Sequence, residues 1–395
     1  ELIHLGSAFF LIFANLILLK KLTIDKNNYN KFILILSVLS FALLNIFFYR
    51  IGEHGTDKSA QILIFLLVIE ILIFLDQSNF DKKLLSKVYL LIGLIISLKA
   101  FYILFSFILI ILLFKVLKKK KFTNGILFFI KNIYFLPLII FFILVISNYF
   151  LNTGCLIYPV SFTCFENFSW AVNKLEVIEL NNWYEQWSKA GAGPDYRVED
   201  PLEYISYFNW VGNWIDKYFF NKVSDFLLGI FILLLIVNIF LFSSQKKKIN
   251  FPNIRLLIFF LILLLFEWFY NHPTLRYGGY CIIVSIIFLF FAIRLNKYKL
   301  DKNKFKKRVN ALILIAIVIF LGRNLNRIIN EVEFYSYKPM KNVNYMIGEE
   351  YFDIPELIDN KITNYNLCKS KNQKCNNEDK IKIKKYFNNY ILFLE

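Results

Sequence analysis

An all-α, polytopic membrane protein of about ten transmembrane helices is the fold this sequence predicts. Three observations carry that expectation. Apolar residues make up 57 % of the chain and the mean hydropathy is +0.52, more apolar surface than a soluble chain of 395 residues needs. Several windows approach the roughly 20 apolar residues that span a hydrocarbon core. Lys and Arg gather in short clusters between those windows, as cytoplasmic loops would place them. The net charge of +17 would otherwise suggest a nucleic-acid partner. Its distribution argues against one, and anionic lipid headgroups are the partner expected for the clusters.

In chain order, residues 3–19 form the first expected span, and Lys20, Lys21, Lys26 and Lys31 make the following loop cytoplasmic. Residues 32–49 cross outward to the loop 50–61, and residues 62–75 return to Lys82, Lys83 and Lys87. Two short helices, 88–98 and 100–116, meet at Lys99, and the second ends at Lys118–Lys121. Residues 124–134 fit an amphipathic segment lying along the interface. Further spans are expected at 135–150, 225–243, 254–269, 280–295 and 309–322. The domain reading is therefore N-terminal membrane helices in 1–150, a periplasmic loop with interfacial helices in 151–223, C-terminal membrane helices in 224–322, and a periplasmic tail in 323–395. The external loops between spans carry few cations, Arg50, Lys58, Lys99 and Arg276, which fixes the expected orientation in a bacterial inner membrane. The start at Glu1, running straight into an apolar helix, reads as a fragment lacking its true N-terminus.

The long polar stretch 151–223 holds Trp170, Trp183, Trp187, Trp210 and Trp214, five of the six tryptophans. Trp183 and Trp187 are four apart, as are Trp210 and Trp214, so on helices each pair makes one aromatic face. Such a face suits the bilayer surface or a sugar ring. Between the pairs, Lys189 to Pro201 is a Gly- and Pro-rich turn carrying Asp195, Arg197, Glu199 and Asp200, either a functional loop or a connector. Cys155 and Cys164 lie in this stretch, and Cys368 and Cys375 in the tail. Close pairs on the external side favour disulfides over metal sites.

All three histidines, His4, His54 and His272, fall at the expected outer face. His54 stands beside Glu53 and Asp57, and His272 precedes Arg276 in a turn made tight by Pro273, Gly278 and Gly279. Each loop thus combines acid, base and imidazole, the first with Arg50 and Lys58 as its bases, the second with Glu267 at its start. The bland alternative is a set of interfacial residues that snorkel and pair. The Arg276 guanidinium suits a phosphate. Glu70 and Lys99 fall inside or beside spans, where an ionisable group is functional or paired. The sequence holds no Walker, Gly-x-Gly-x-x-Gly or Gly-x-Ser-x-Gly motif, leaving ATP-driven transport and serine hydrolysis without support.

The short helices meeting at Ser97-Leu98-Lys99-Ala100, the acid- and aromatic-rich external loops, and the Cys155-x8-Cys164, Trp183–Trp187 and Asp195–Pro201 stretches resemble GT-C type membrane glycosyltransferases and uncharacterised bacterial inner-membrane proteins of that architecture. The resemblance implies a polyprenyl-phosphate-linked sugar as donor and a catalytic carboxylate in the first external loop, here Asp57 or Glu53. Arg276 and Lys99 would then hold the donor phosphate. His272, His54, Trp183, Trp187 and Arg197 would complete the substrate site. A divalent metal is compatible with this chemistry, though no ligand cluster specifies one. The expected geometry brings the Glu53–Asp57 and His272–Arg276 loops over one cavity roofed by residues 183–201. The rival readings are an O-antigen polymerase or ligase, which also uses external Arg and His, and a non-enzymatic transporter or scaffold.

Overall fold

The computed structural model describes residues 6–24, 30–50, 55–77, 80–193, 198, 200–243, 245, 254–298, 301–335, 363, 381–386 and 389–394. The chain divides into two compact units, Glu1–Asn324 and Leu325–Glu395.

The first unit is helical. Its helices are α1 (Gly6–Ile24), α2 (Lys31–Phe47), α3 (Asp57–Asp76), α4 (Lys82–Leu98), α5 (Ile108–Leu117), α6 (Phe122–Ile130), α7 (Phe135–Thr153), α8 (Lys174–Lys189), α9 (Pro201–Ile205), α10 (Val211–Trp214), α11 (Ser224–Leu241), α12 (Arg255–Asn271), α13 (Gly279–Asn296) and the first part of α14 (Lys302–Tyr335). A 3-10 segment, Ala100–Phe107, leads into α5, and a π segment, Ile215–Val223, joins α10 to α11. Among the described residues five stretches are long and apolar enough to cross a membrane: Asp57–Asp76, Phe135–Thr153, Val211–Leu241, Gly279–Asn296 and Lys302–Phe334. Lys31–Phe47 and Phe101–Leu117 are shorter apolar helices.

α3 is the axis of the unit. It is apolar on every side, and nearly all its residues are buried against α1, α2, α4 and α13. A helix hydrophobic all round must be enclosed by protein or lipid. α7 is the opposite case. It packs on α4 and leaves Leu136, Ile139, Ile140, Ile143 and Leu144 exposed. A contiguous apolar face of that size fits a lipid-facing helix.

Local signals explain where several boundaries fall. Asn30 caps α2 by accepting from the Phe32 and Ile33 amides, at 3.0 and 3.4 Å. Asp81 accepts from the Lys83 amide at 2.8 Å, so α4 begins at Lys82 rather than at residue 88. The lysines of that expected loop therefore ride on the first turns of the helix. The last expected span, 309–322, lies inside α14, which runs from Lys302 to Tyr335 and at 1.5 Å per residue reaches about 50 Å.

The second unit contains the end of α14, where Arg327 Nε donates to Glu331 Oε1 at 2.6 Å, one helical turn away. It also contains an antiparallel hairpin, β1 (Ile381–Tyr386) with β2 (Asn389–Leu394), in register from Ile381–Leu394 to Tyr386–Asn389. The all-α expectation thus holds for the first unit and is corrected in the tail. The signal was the alternation Ile381-Lys382-Ile383-Lys384, whose period of two is that of a strand.

Candidate functional site

The site is built at the N-terminal end of α3. Asp57 sits in the first turn, where the helix dipole favours a negative charge, and its side chain is only 7 % exposed. Two cations reach it from distant parts of the chain. Arg276 Nε donates to Asp57 Oδ2 at 2.7 Å. Lys99 Nζ lies 2.9 Å from Oδ1. The Lys99 contact lacks hydrogen-bond geometry, because Oδ1 has no hydrogen-bond partner among the described residues. It is held by charge. The carboxylate is buried while the Arg276 side chain is 59 % exposed and that of Lys99 37 %.

Both cations stand on connectors. Lys99 has extended backbone between the end of α4 and the 3-10 segment. Arg276 stands in a 3-10 turn, Leu275–Tyr277, between α12 and α13. That turn is held by side chains around it. Gln61 Nε2 donates to the Arg276 carbonyl at 2.8 Å, and Gln61 Oε1 accepts from the Cys281 amide at 3.2 Å. Trp214 Nε1 donates to the Pro273 carbonyl at 2.8 Å, and Trp268 Nε1 to the Thr274 carbonyl at 2.7 Å. The Tyr218 hydroxyl accepts from the Leu275 amide at 2.9 Å. Gly279 is required here: a Cβ would come within 2.6 Å of the Trp268 ring. Gly278, at φ +104°, supplies the left-handed residue that ends the turn.

Tyr277 links the charged cluster to an aromatic wall. Its ring lies 5.7 Å from Lys99 Nζ, 6.0 Å from the Trp187 ring and 5.8 Å from the His272 ring. Burial pushes the Tyr277 phenol up. His272 is held down to about 4 by burial, with the nearby Lys189 ammonium adding to the effect. It is therefore neutral at physiological pH, and its Nδ1 is buried without a hydrogen-bond partner among the described residues.

The structure brings Asp57, Lys99, Arg276, His272 and Trp187 into one neighbourhood. Carboxylate and guanidinium touch directly rather than facing each other across a cavity. Trp183 is exposed and packs on Tyr184. Glu53, His54, Arg197, Cys368 and Cys375 lie outside the described residues, as does His4. Cys155 and Cys164 form a disulfide.

Other expectations are corrected. Trp210 and Trp214 do not form a surface platform; both are buried, and Trp214 braces the Arg276 turn. Lys189 is not part of an open loop. It ends α8 fully buried, bound to Glu185 and to the Ile205 carbonyl, with the Trp210 and Tyr270 rings each 5.2 Å away. Glu70 and Lys99, each read as functional or paired, are both paired, though not with each other. Glu70 pairs with Lys21 at 2.7 Å and faces Lys87 at 3.9 Å. Sequence reasoning missed Gln61, Trp268 and Tyr218. Gln61 was the readable one, a buried amide in an apolar helix that must find partners.

Among the described residues no three His, Cys, Asp or Glu side chains gather to hold a metal. Asp57, with a cation on each oxygen, is poorly suited to bind one. Among the described residues the cluster is one buried carboxylate with two cations, Arg276 59 % and Lys99 37 % exposed at their side chains.

Together these features define a helical protein with stretches able to cross a membrane and a buried carboxylate held between two cations at one end of its central helix. The chain belongs to the family described as Domain of unknown function (DUF8201), whose model matches residues 2–283, a range that includes Asp57, Lys99 and Arg276. Neither the curated proteins nor the solved structures gave a match.

Proposed function

We propose that the chain is an inner-membrane glycosyltransferase that binds the phosphate of a polyprenyl-linked sugar on Arg276 and Lys99 and transfers the sugar to an envelope glycan or lipid. In this reading it crosses the membrane about ten times, with the Asp57 end of α3 and the C-terminal tail on the periplasmic face. Membrane lipids surround it and supply the donor.

The observation that carries the reading is the pair of exposed cations converging on one buried carboxylate, beside a wall of Trp187, Tyr277 and His272. A guanidinium fork and an ammonium are the donors that phosphate oxygens prefer. An aromatic edge beside them suits a sugar ring. In the reaction, the acceptor hydroxyl gives its proton to the Asp57 carboxylate and its oxygen bonds to C1 of the sugar. The bond from C1 to the phosphate oxygen breaks, and the phosphate leaves with the electron pair. Arg276 and Lys99 stabilise the charge that develops there.

The test compares envelope glycans and glycolipids of a deletion strain with its parent, and with the strain complemented by Arg276→Ala. A glycan species lost on deletion and not restored by Arg276→Ala supports the reading. Unchanged profiles in the deletion strain would reject glycosyl transfer.

A further inference from the structure

We propose that Asp57 is an internal counter-anion which the donor phosphate displaces, so that the carboxylate becomes a proton acceptor only once the donor is bound. The inference rests on the phosphate-binding reading above and adds to it an obligatory order: donor first, acceptor second.

The geometry points to competition. Each oxygen of Asp57 holds one cation, Arg276 Nε at 2.7 Å and Lys99 Nζ at 2.9 Å. These are the same two side chains that would hold a phosphate. Carboxylate and phosphate are both anionic oxygen acceptors for a guanidinium fork and an ammonium, and one set of donors cannot satisfy both fully. Exposure sets the direction of attack. A ligand arriving from outside reaches the exposed Arg276 and Lys99 before the buried carboxylate between them.

The three groups also differ in their freedom to move. Asp57 begins a helix packed on every side, so it cannot follow a departing partner. Arg276 and Lys99 are long side chains rooted in a turn and a junction. Both can turn toward a phosphate by changing rotamers while the Arg276 turn stays pinned by Gln61, Trp214 and Trp268, and the Lys99 backbone by its bonds to Ile95 and Tyr102. Once they leave, a buried carboxylate stands without counter-charge, a condition relieved by taking a proton. The acceptor hydroxyl is the proton source that lets glycosyl transfer proceed. When the lipid phosphate departs, the proton passes to water and both cations return to Asp57. An empty site would thus hold no free base to activate water.

The experiment uses the full chain in lipid nanodiscs and a sugar-free long-chain polyprenyl monophosphate as probe. Binding is measured for the wild type, Asp57→Asn and Arg276→Ala. Removing the competitor should tighten binding in Asp57→Asn by about tenfold, whereas Arg276→Ala should weaken it by a similar factor. Equal or weaker binding in Asp57→Asn overturns the displacement while leaving phosphate binding intact. Loss of the distinction between wild type and Arg276→Ala would reject the phosphate reading itself. A second measurement needs no Asp57 variant. A hydrophobic carbodiimide labels protonated, buried carboxyls, and mass spectrometry of the Asp57 peptide reads the yield. With no acceptor present the carboxylate deprived of its counter-ions takes its proton from water, so the probe alone should raise Asp57 labelling in the wild type severalfold. Labelling that is unchanged or reduced overturns the proposal.

Discussion

The two ends of α3 carry the same charges and use them differently. At one end Asp57 meets Arg276 and Lys99; about 20 Å along the helix, at 1.5 Å per residue, Glu70 meets Lys21 and Lys87. Each is one buried acid with two bases. At Glu70 the close partner, Lys21, is only 14 % exposed and belongs to the long helix α1, while Lys87, from α4, stands back at 3.9 Å. That cluster ties α1 and α4 to the central helix. At Asp57 both partners come from connectors and both touch the acid, with Arg276 59 % and Lys99 37 % exposed, whereas the exposed base at Glu70, Lys87, is the one that stands back. A shared inventory of charge therefore does not define a site. What matters is where the cations are rooted and whether a ligand can reach them.

The comparison can be broken most completely by topology. Reporter fusions active only in the periplasm should work within residues 151–223 and after Asn342, and stay silent after Lys121 and Lys304. An active fusion at Lys121 would put the Glu70 end outside and reverse the assignment of the two clusters.

The next effect concerns the Asp57 end. Arg276→Ala should lower sugar transfer by about 10²-fold, the scale of losing one charge-stabilising donor. Arg276→Lys should fall nearly as far, because it keeps the charge and loses the fork. A lysine variant close to wild type in a transfer assay would show that charge alone suffices there.

At the other end, Glu70→Gln should cost stability rather than affinity. Removing one member of a buried pair costs roughly 3 kcal/mol. Thermal unfolding in detergent should shift downward by several degrees, with polyprenyl phosphate binding unchanged. A loss of binding instead would mean that the two ends are coupled.

An effect that reaches that size only at low pH and vanishes above neutrality follows from His272, which burial holds down to about 4. Its folded pKa lies below the unfolded value of about 6.5, so between those values the unfolded chain binds a proton that the folded chain does not. Stability should be full above about pH 6.5, decline as pH falls through that window, and level off below about 4, for a loss of up to about 3 kcal/mol. His272→Asn should remove this part of the slope, and Glu70→Gln should leave it. Unfolding midpoints across pH in both variants would read the difference.

The helices themselves were legible in the residues. Apolar runs locate most of the long helices, of which five stretches among the described residues are long and apolar enough to cross a membrane, where a segment must satisfy its own backbone. The disulfide partners Cys155 and Cys164 are close enough in sequence to be read as a pair. The acid, the guanidinium and the imidazole of the Asp57 site could be named as chemistry-bearing residues from their types and loops. Only the tertiary structure decided which of them meet. Asp57 and Arg276 are 219 residues apart, and Glu70 and Lys99 could equally have been partners on paper. The rotation of each packed helix chose between those pairings, as it buried Trp210 and Trp214 and left Trp183 outside. Sequence periodicity fixes which residues share one helix face; the neighbour that face meets depends on packing among helices far apart in the chain.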